Sequence, residues 1–323
     1  MGRSLKKFLI VCLVLFVLAV GLRWLMKPYM SEEEKPHFSR NTIVHLDLDH
    51  PIWNGKKFLH RLKEFREETS VKAFLIEINS PGGAVGPSQE IFSEVQKTRT
   101  QFKKPVICMS RGIMASGAYY VAAACDKIVV APGALIGSIG VIMEFANLEK
   151  LYDWAKVSRF SISSGRYKDS GAEYRSMRED ERNLFQEMIN EVYQQFRAAV
   201  MESRSLTTTV MDEYADGRVF TGSRAVKAGF ADQVGTYEEA LKVAADLAQL
   251  GEDYELYEIP KKKRTIFDLG TENEDDNVNA LSSRSDFRAL FVESLLDRLL
   301  GKSEGKVSPK SFWNQPLYMM PGS

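Results

Sequence analysis

A serine set among small residues is the first place to look for chemistry in this 323-residue chain. Met114-Ala115-Ser116-Gly117-Ala118-Tyr119-Tyr120 follows an expected strand and opens an expected helix. A hydroxyl there sits beside free N–H groups, which favour a developing negative charge. Small neighbours let a substrate backbone come close. The plainer reading is that Ser116 only caps the helix. Asn79-Ser80-Pro81-Gly82-Gly83 ends an earlier strand, where α/β folds tend to place ligands. A glycine N–H in that turn, with the N–H after the serine, could form an oxyanion hole. Taken alone, the segment reads equally well as an ordinary tight turn.

A serine needs a base to become a nucleophile. The four histidines, His37, His45, His50 and His60, all precede residue 61, and each reads as structural or solvent-facing. Lysine is the other base that serine enzymes use. It works only when neutral, a form that desolvation favours, so activity should rise toward alkaline pH. Lys168 lies in Ser163-Ser164-Gly165-Arg166-Tyr167-Lys168-Asp169-Ser170, among small and hydroxyl neighbours. Spacing alone would leave it a surface lysine. No GxxxxGKS/T loop, HExxH pair, paired-cysteine cluster or GxSxG elbow occurs, so phosphate-loop, metal and α/β-hydrolase chemistries are not expected. No cofactor is expected either.

The elements that must hold these residues alternate along the chain. Strands are predicted at 43–46, 74–78, 105–109 and 127–130, and helices at 56–69, 88–98 and 115–125. Phe58, Leu59, Leu62 and Phe65 supply the apolar face of the first helix. This alternation argues for an α/β domain with mostly parallel strands. A long helix is predicted at 179–203, with Leu184, Phe185, Met188, Ile189, Val192 and Phe196 as its apolar stripe, and a shorter one at 238–250. Opposed charge blocks at 261–264 and 272–276 read as an exposed linker. Residues 287–300 are amphipathic.

The region from about 42 to 250 resembles the signal peptide peptidase A (SppA, protease IV) family of Ser–Lys serine proteases, in its short bacterial form. The segments carrying the resemblance are Ile78 to Gly83, Ala115 to Tyr120, Gly137-Ser138-Ile139-Gly140-Val141, Ser164 to Asp169, and Gly217-Arg218-Val219-Phe220-Thr221-Gly222. The resemblance implies a ClpP/crotonase-like fold. It implies Ser116 as nucleophile, Lys168 as general base, Ser138 as hydrogen-bond partner of that lysine, and Gly83 and Gly117 as oxyanion donors. Tyr167 departs from the small residue or histidine often found before the lysine, which bears on side-chain preference in the substrate. The substrates implied are remnant signal peptides and other hydrophobic polypeptides, cut by a homo-oligomer.

Lys+Arg and Asp+Glu are both 43. The balance gives no global attraction to nucleic acid, and none is expected as a partner. Cys12, Cys108 and Cys125 read as three buried thiols, with a Cys108–Cys125 disulfide open but not indicated. Arg3, Lys6 and Lys7 precede an apolar run at 8–26, interrupted by Arg23. Such a run reads as an uncleaved signal anchor crossing a bacterial inner membrane, the catalytic region outside the cytoplasm; a cleaved signal peptide is the rival. The expected organisation is an anchor at 1–27, a linker at 28–41, the peptidase domain at 42–250, a charged linker at 251–286, and an amphipathic helix with an apolar tail at 287–323. That tail either packs on the domain or lies in a groove as a substrate-like strand. Two other functions stay open: a crotonase-fold enzyme acting on acyl-CoA, and an inactive membrane scaffold.

Overall fold

The computed structural model describes residues 41–259, Gly21, and the backbone of Leu317–Tyr318. The chain divides into two units, Met1–Phe38 and Ser39–Ser323. The expected anchor lies outside the described residues apart from Gly21, as does the amphipathic stretch at 287–300. Among the described residues, no helix is long and apolar enough to cross a membrane.

The strands are β1 (Thr42–Asp49), β2 (Val71–Asn79), β3 (Gly83–Ala84), β4 (Val106–Ser110), β5 (Ile113–Ala115), β6 (Lys127–Val130), β7 (Leu135–Gly137), β8 (Val219–Thr221), β9 (Gln233–Val234), β10 (Glu255–Glu258) and β11 (Leu317–Tyr318). The helices are α1 (Lys56–Glu67), α2 (Val85–Thr100), α3 (Gly117–Ala123), α4 (Glu149–Trp154), α5 (Glu179–Arg204), α6 (Thr208–Tyr214), α7 (Gly222–Lys227) and α8 (Tyr237–Leu247).

The main sheet runs β10-β1-β2-β4-β6-β9, with all five pairings parallel. The expected α/β class with a mostly parallel sheet is therefore observed. Parallel strands are covered on both faces, which is why Phe74 to Ile76 are buried without alternation. One face, carrying Ile43, Ala73, Leu75, Ile107, Met109 and Val129, packs against Ala240, Leu241, Ala244 and Ala245 of α8. All four apolar residues predicted for α1 are buried. A smaller sheet, β5-β7-β8, stands beside the first, and β11 pairs antiparallel with β3.

Three expectations change, and the burial of one predicted helix is partial. The folded domain continues past Leu250, because β10 pairs with β1 from Thr42 to His45; its first pairs hold residues that the charge pattern had assigned to a linker. The helix expected at 115–125 is shorter: Ala115 ends β5 and the helix runs from Gly117 to Ala123. Cys108 and Cys125 are joined by a disulfide rather than left as thiols. They sit on adjoining elements, 5.9 Å apart between Cα atoms. The α5 stripe is not fully buried. Phe196 is buried, but Leu184, Phe185, Ile189 and Val192 are half-exposed and Met188 is 41% exposed.

Candidate active site

Ser116 occupies the single residue between β5 and α3. Its backbone is at φ 55°, ψ −124°, an uncommon region for a residue with a Cβ. Neighbouring bonds hold it there: its N–H donates to the Gly137 carbonyl at 2.7 Å, and its carbonyl accepts from Tyr120 N–H at 2.9 Å. Strain of this kind persists only where the surroundings over-determine it, and it clusters at active sites. The hydroxyl makes no capping bond, so the plain capping role does not apply. Ser116 Oγ is buried and has no hydrogen-bond partner. A hydroxyl left unsatisfied costs free energy and invites a functional explanation.

The two tyrosines after Ser116 anchor this turn from below. Tyr119 is fully buried, and its hydroxyl donates to the Phe230 carbonyl at 2.8 Å. Burial raises its pKa, so it stays a neutral donor. Tyr120 packs between Phe92 and Phe196, with ring centroids 4.9 and 4.8 Å away.

The glycine turn lies alongside. Ser80 N–H donates to the Ile113 carbonyl, and the Ser80 carbonyl accepts from Ala115 N–H. Ser80 is therefore stitched to β5, the strand that ends one residue before Ser116. Its hydroxyl accepts from Gly82 N–H at 3.2 Å, shaping the turn in which Gly82 takes φ 103°. Gly83 is wedged against Ile52: a Cβ there would lie 2.5 Å from Ile52 N. Ile52 is itself bonded to the Gly82 carbonyl and to Ala84 N–H. Gly117 is the first residue of α3, where the helix provides no partner for an N–H. Tyr318 and Leu317 of the tail pair with Gly83 and Ala84.

Ser138 reaches the same place through the small sheet. Ala115 pairs with Gly137, and Gly137 with Val219. Ser138 follows directly, is 3% exposed, has φ 52°, and donates its N–H to the Arg218 carbonyl. The 217–222 motif thus serves as the wall that fixes Ser138.

Lys168 makes no hydrogen bond to Ser116 Oγ, which has no partner. It lies in an exposed turn, its N–H donating to the Gly165 carbonyl. The turn is tied down by an ionic knot on the first turn of α5. Glu181, fully buried, receives Arg175 at 2.6 Å and Arg178 at 2.7 Å, and Arg175 also reaches Asp169 at 3.2 Å. Hydrogen bonds from Arg175, then the Arg178 backbone N–H and both guanidinium charges, outweigh burial and hold the Glu181 carboxyl down at about 2. A carboxyl depressed on folding stabilises above the ordinary glutamate range and loses that contribution as pH falls toward 2. We expect Glu181→Gln to be less stable at pH 7 by roughly 1–3 kcal/mol, near the low end because the arginines reach solvent. Urea unfolding from pH 7 down to 3 should narrow the gap between variant and wild type, most steeply below about pH 4.5. A gap that stays constant would show that the knot does not work this way.

No described histidine nitrogen bonds to Ser116 Oγ, and His45 faces the carboxylates of Asp47 and Glu77. His37 lies outside the described residues. Ser80 was quoted in its motif but given no role by sequence; its bonds to β5 emerge only from the fold.

A strained, buried serine beside a glycine turn in a parallel α/β frame belongs to the broad class of serine hydrolases. Comparison with known proteins narrows the class. The Peptidase family S49 model matches residues 98–251. A Methanocaldococcus jannaschii chain named as a protease is 33% identical over 264 residues, covering 76% of this chain and 84% of that one. A Synechocystis chain, also named as a protease, is 38% identical, covering 67% and 77%. An Enterococcus faecium protein named as signal peptide peptidase SppA is 35% identical, covering 58% and 55%. The chain belongs to peptidase family S49, the SppA family of serine proteases.

Proposed function

We propose that this chain is a membrane-anchored endopeptidase using a Ser116–Lys168 dyad to degrade remnant signal peptides and other hydrophobic peptides outside the cytoplasm. The observation that carries the reading is Ser116: a strained turn, an unpartnered buried hydroxyl, and Ser138 and the Gly83 turn close by. Gly83 and Gly117 supply the oxyanion N–H groups, and Ser138 orients the lysine amine. The frame is that of a ClpP/crotonase-like protease. Family membership favours it over an acyl-CoA enzyme. An inactive scaffold would have no need of the strain at Ser116.

Lys168 reaches Ser116 in a homo-oligomer. Support comes from the surface beside the lysine turn, where Trp154 is 80% exposed, Phe160 78% and Ile162 94%. Exposed apolar residues in such numbers mark an interaction surface, and the half-exposed α5 stripe adds to it. The apolar run at 8–26 supports the anchor. The Cys108–Cys125 disulfide supports an oxidising, extracytoplasmic setting. A synthetic signal peptide is the test substrate. Cleavage that a serine-reactive probe abolishes supports the reading; turnover of acyl-CoA thioesters instead of peptides would overturn it.

A peptide substrate adds a strand to β3, its alternate side chains entering apolar pockets. The chain's own tail occupies that place through Leu317 and Tyr318. Truncation after Lys310 is expected to lower KM for a hydrophobic peptide severalfold, with kcat and assembly unchanged. Unchanged kinetics would make the pairing purely structural.

A further inference from the structure

The carboxyl ends of β1 and β2 carry a cluster that the proposed peptidase chemistry does not use. His45 and Asp47 alternate along β1 and so share a face. Asp47 pairs with Glu77 on β2, and His45 with Glu258 on β10. Nearer the amino ends, the same face is the apolar floor beneath α8, with Ile43, Ala73 and Leu75. The face therefore changes from hydrocarbon to a concentration of metal-ligating groups within two residues of each strand.

The geometry within the cluster is specific. His45 Nε2 lies 3.5 Å from Asp47 Oδ1 and 3.6 Å from Glu77 Oε2. The three ligand atoms all lie within 4.8 Å of one another. The His45 side chain is only 12% exposed, and its Nε2 is buried without a hydrogen-bond partner. The Tyr237 hydroxyl is a second buried polar atom without one. Its ring stands edge-on to His45 at 5.4 Å. The carboxylates of Glu258, Glu77, Glu238 and Asp47 all act on this hydroxyl. Arg111 is the opposing charge, but its Nε bonds to Glu77 Oε1 at 2.9 Å and leaves Oε2 facing the imidazole. A buried imidazole nitrogen between two carboxylates is satisfied either by a proton of its own or by a cation that all three share, and it forms a hydrogen bond to neither carboxylate here.

We propose that His45, Asp47 and Glu77 bind a divalent transition-metal ion, with zinc the best match. Zinc takes imidazole nitrogen and carboxylate oxygen at about 2.0–2.2 Å in a tetrahedron, which sets neighbouring ligand atoms roughly 3.3–3.6 Å apart. The two distances from Nε2 have that length. On the far side of the ring, Glu258 Oε1 lies 3.9 Å from Nδ1. A small rotation of this exposed side chain lets it accept Nδ1–H and commit the Nε2 lone pair to the ion. Magnesium, which wants an octahedron of oxygens, does not suit the set. The ion ties β1 to β2 just before both strands run out toward Ile52 and the Pro81–Gly83 turn. It thereby stiffens the base on which the glycine turn rests.

Calorimetric titration of the chelator-stripped full chain with zinc chloride tests this, alongside thermal unfolding. One ion per chain should bind and raise Tm, and equal magnesium should do neither. Asp47→Asn and Glu77→Gln should each weaken zinc binding about tenfold or more, while Ser116→Ala binds as wild type does. His45→Gln should abolish the site, and should it fail to fold, the two carboxylate variants decide. No binding, or zinc affinity unchanged in both carboxylate variants, would overturn the proposal. Because the readout is binding rather than proteolysis, its failure is separable from failure of the proposed peptidase function.

Discussion

Ser116→Ala and Lys168→Ala are each expected to reduce kcat/KM on a hydrophobic peptide by at least about a thousandfold. The double variant should be no worse than either, because members of one catalytic unit are not additive. Ser138→Ala should lose only about ten- to a hundredfold, as it orients the amine without reacting. The position of Lys168 makes the experiment sharper. In the single chain the Ser116 hydroxyl has no partner, and the lysine turn is exposed. In the proposed homo-oligomer, assembly delivers the base, so mixing the two inactive single variants before oligomerisation should regain part of the activity. Substantial activity in Lys168→Ala alone would remove the lysine from the mechanism and return attention to the histidines.

Gly83→Ala should be the most damaging change that leaves both members of the dyad in place. A Cβ at Gly83 would lie 2.5 Å from the backbone nitrogen of Ile52 and 2.6 Å from its carbonyl carbon. No flexible side chain is there to yield. Ile52 is held by hydrogen bonds on both sides of the same glycine, so the turn as a whole must shift. A displacement of even 1 Å at an oxyanion donor costs on the order of a hundredfold in rate. Overpacking should also destabilise by about 1–3 kcal/mol. Gly86→Ala is the control: nothing lies within 4 Å of a Cβ there, and alanine favours the helix. A folded Gly83→Ala protein with wild-type kcat would show that the turn takes the Cβ without moving its N–H and would overturn this prediction.

Much of this protein follows from its sequence alone. Residue periodicity reports which face of an element is apolar. That is why α1, with Phe58, Leu59, Leu62 and Phe65, and the parallel α/β order were legible, and why α5 was found in full. Five short motifs gave the family and the residues worth examining. Periodicity does not say what lies opposite a face. The α5 stripe was legible as apolar, yet only Phe196 of it is buried and the rest stands half-exposed or exposed. Nor does composition encode a register. The pairing of Asp47 with Glu77, of His45 with Glu258 and of Tyr318 with Gly83 joins residues 30 to more than 200 positions apart. The same holds for the Cys108–Cys125 disulfide, which depends on where a strand and the end of a helix meet. The strain at Ser116 was beyond reach for a related reason. A serine before a glycine is locally free to cap a helix, and it is the bond to the Gly137 carbonyl, supplied by a neighbouring strand, that adds a long-range hold on its backbone at positive φ. Local chemistry chose the candidates, and long-range hydrogen bonding decided which of them meet.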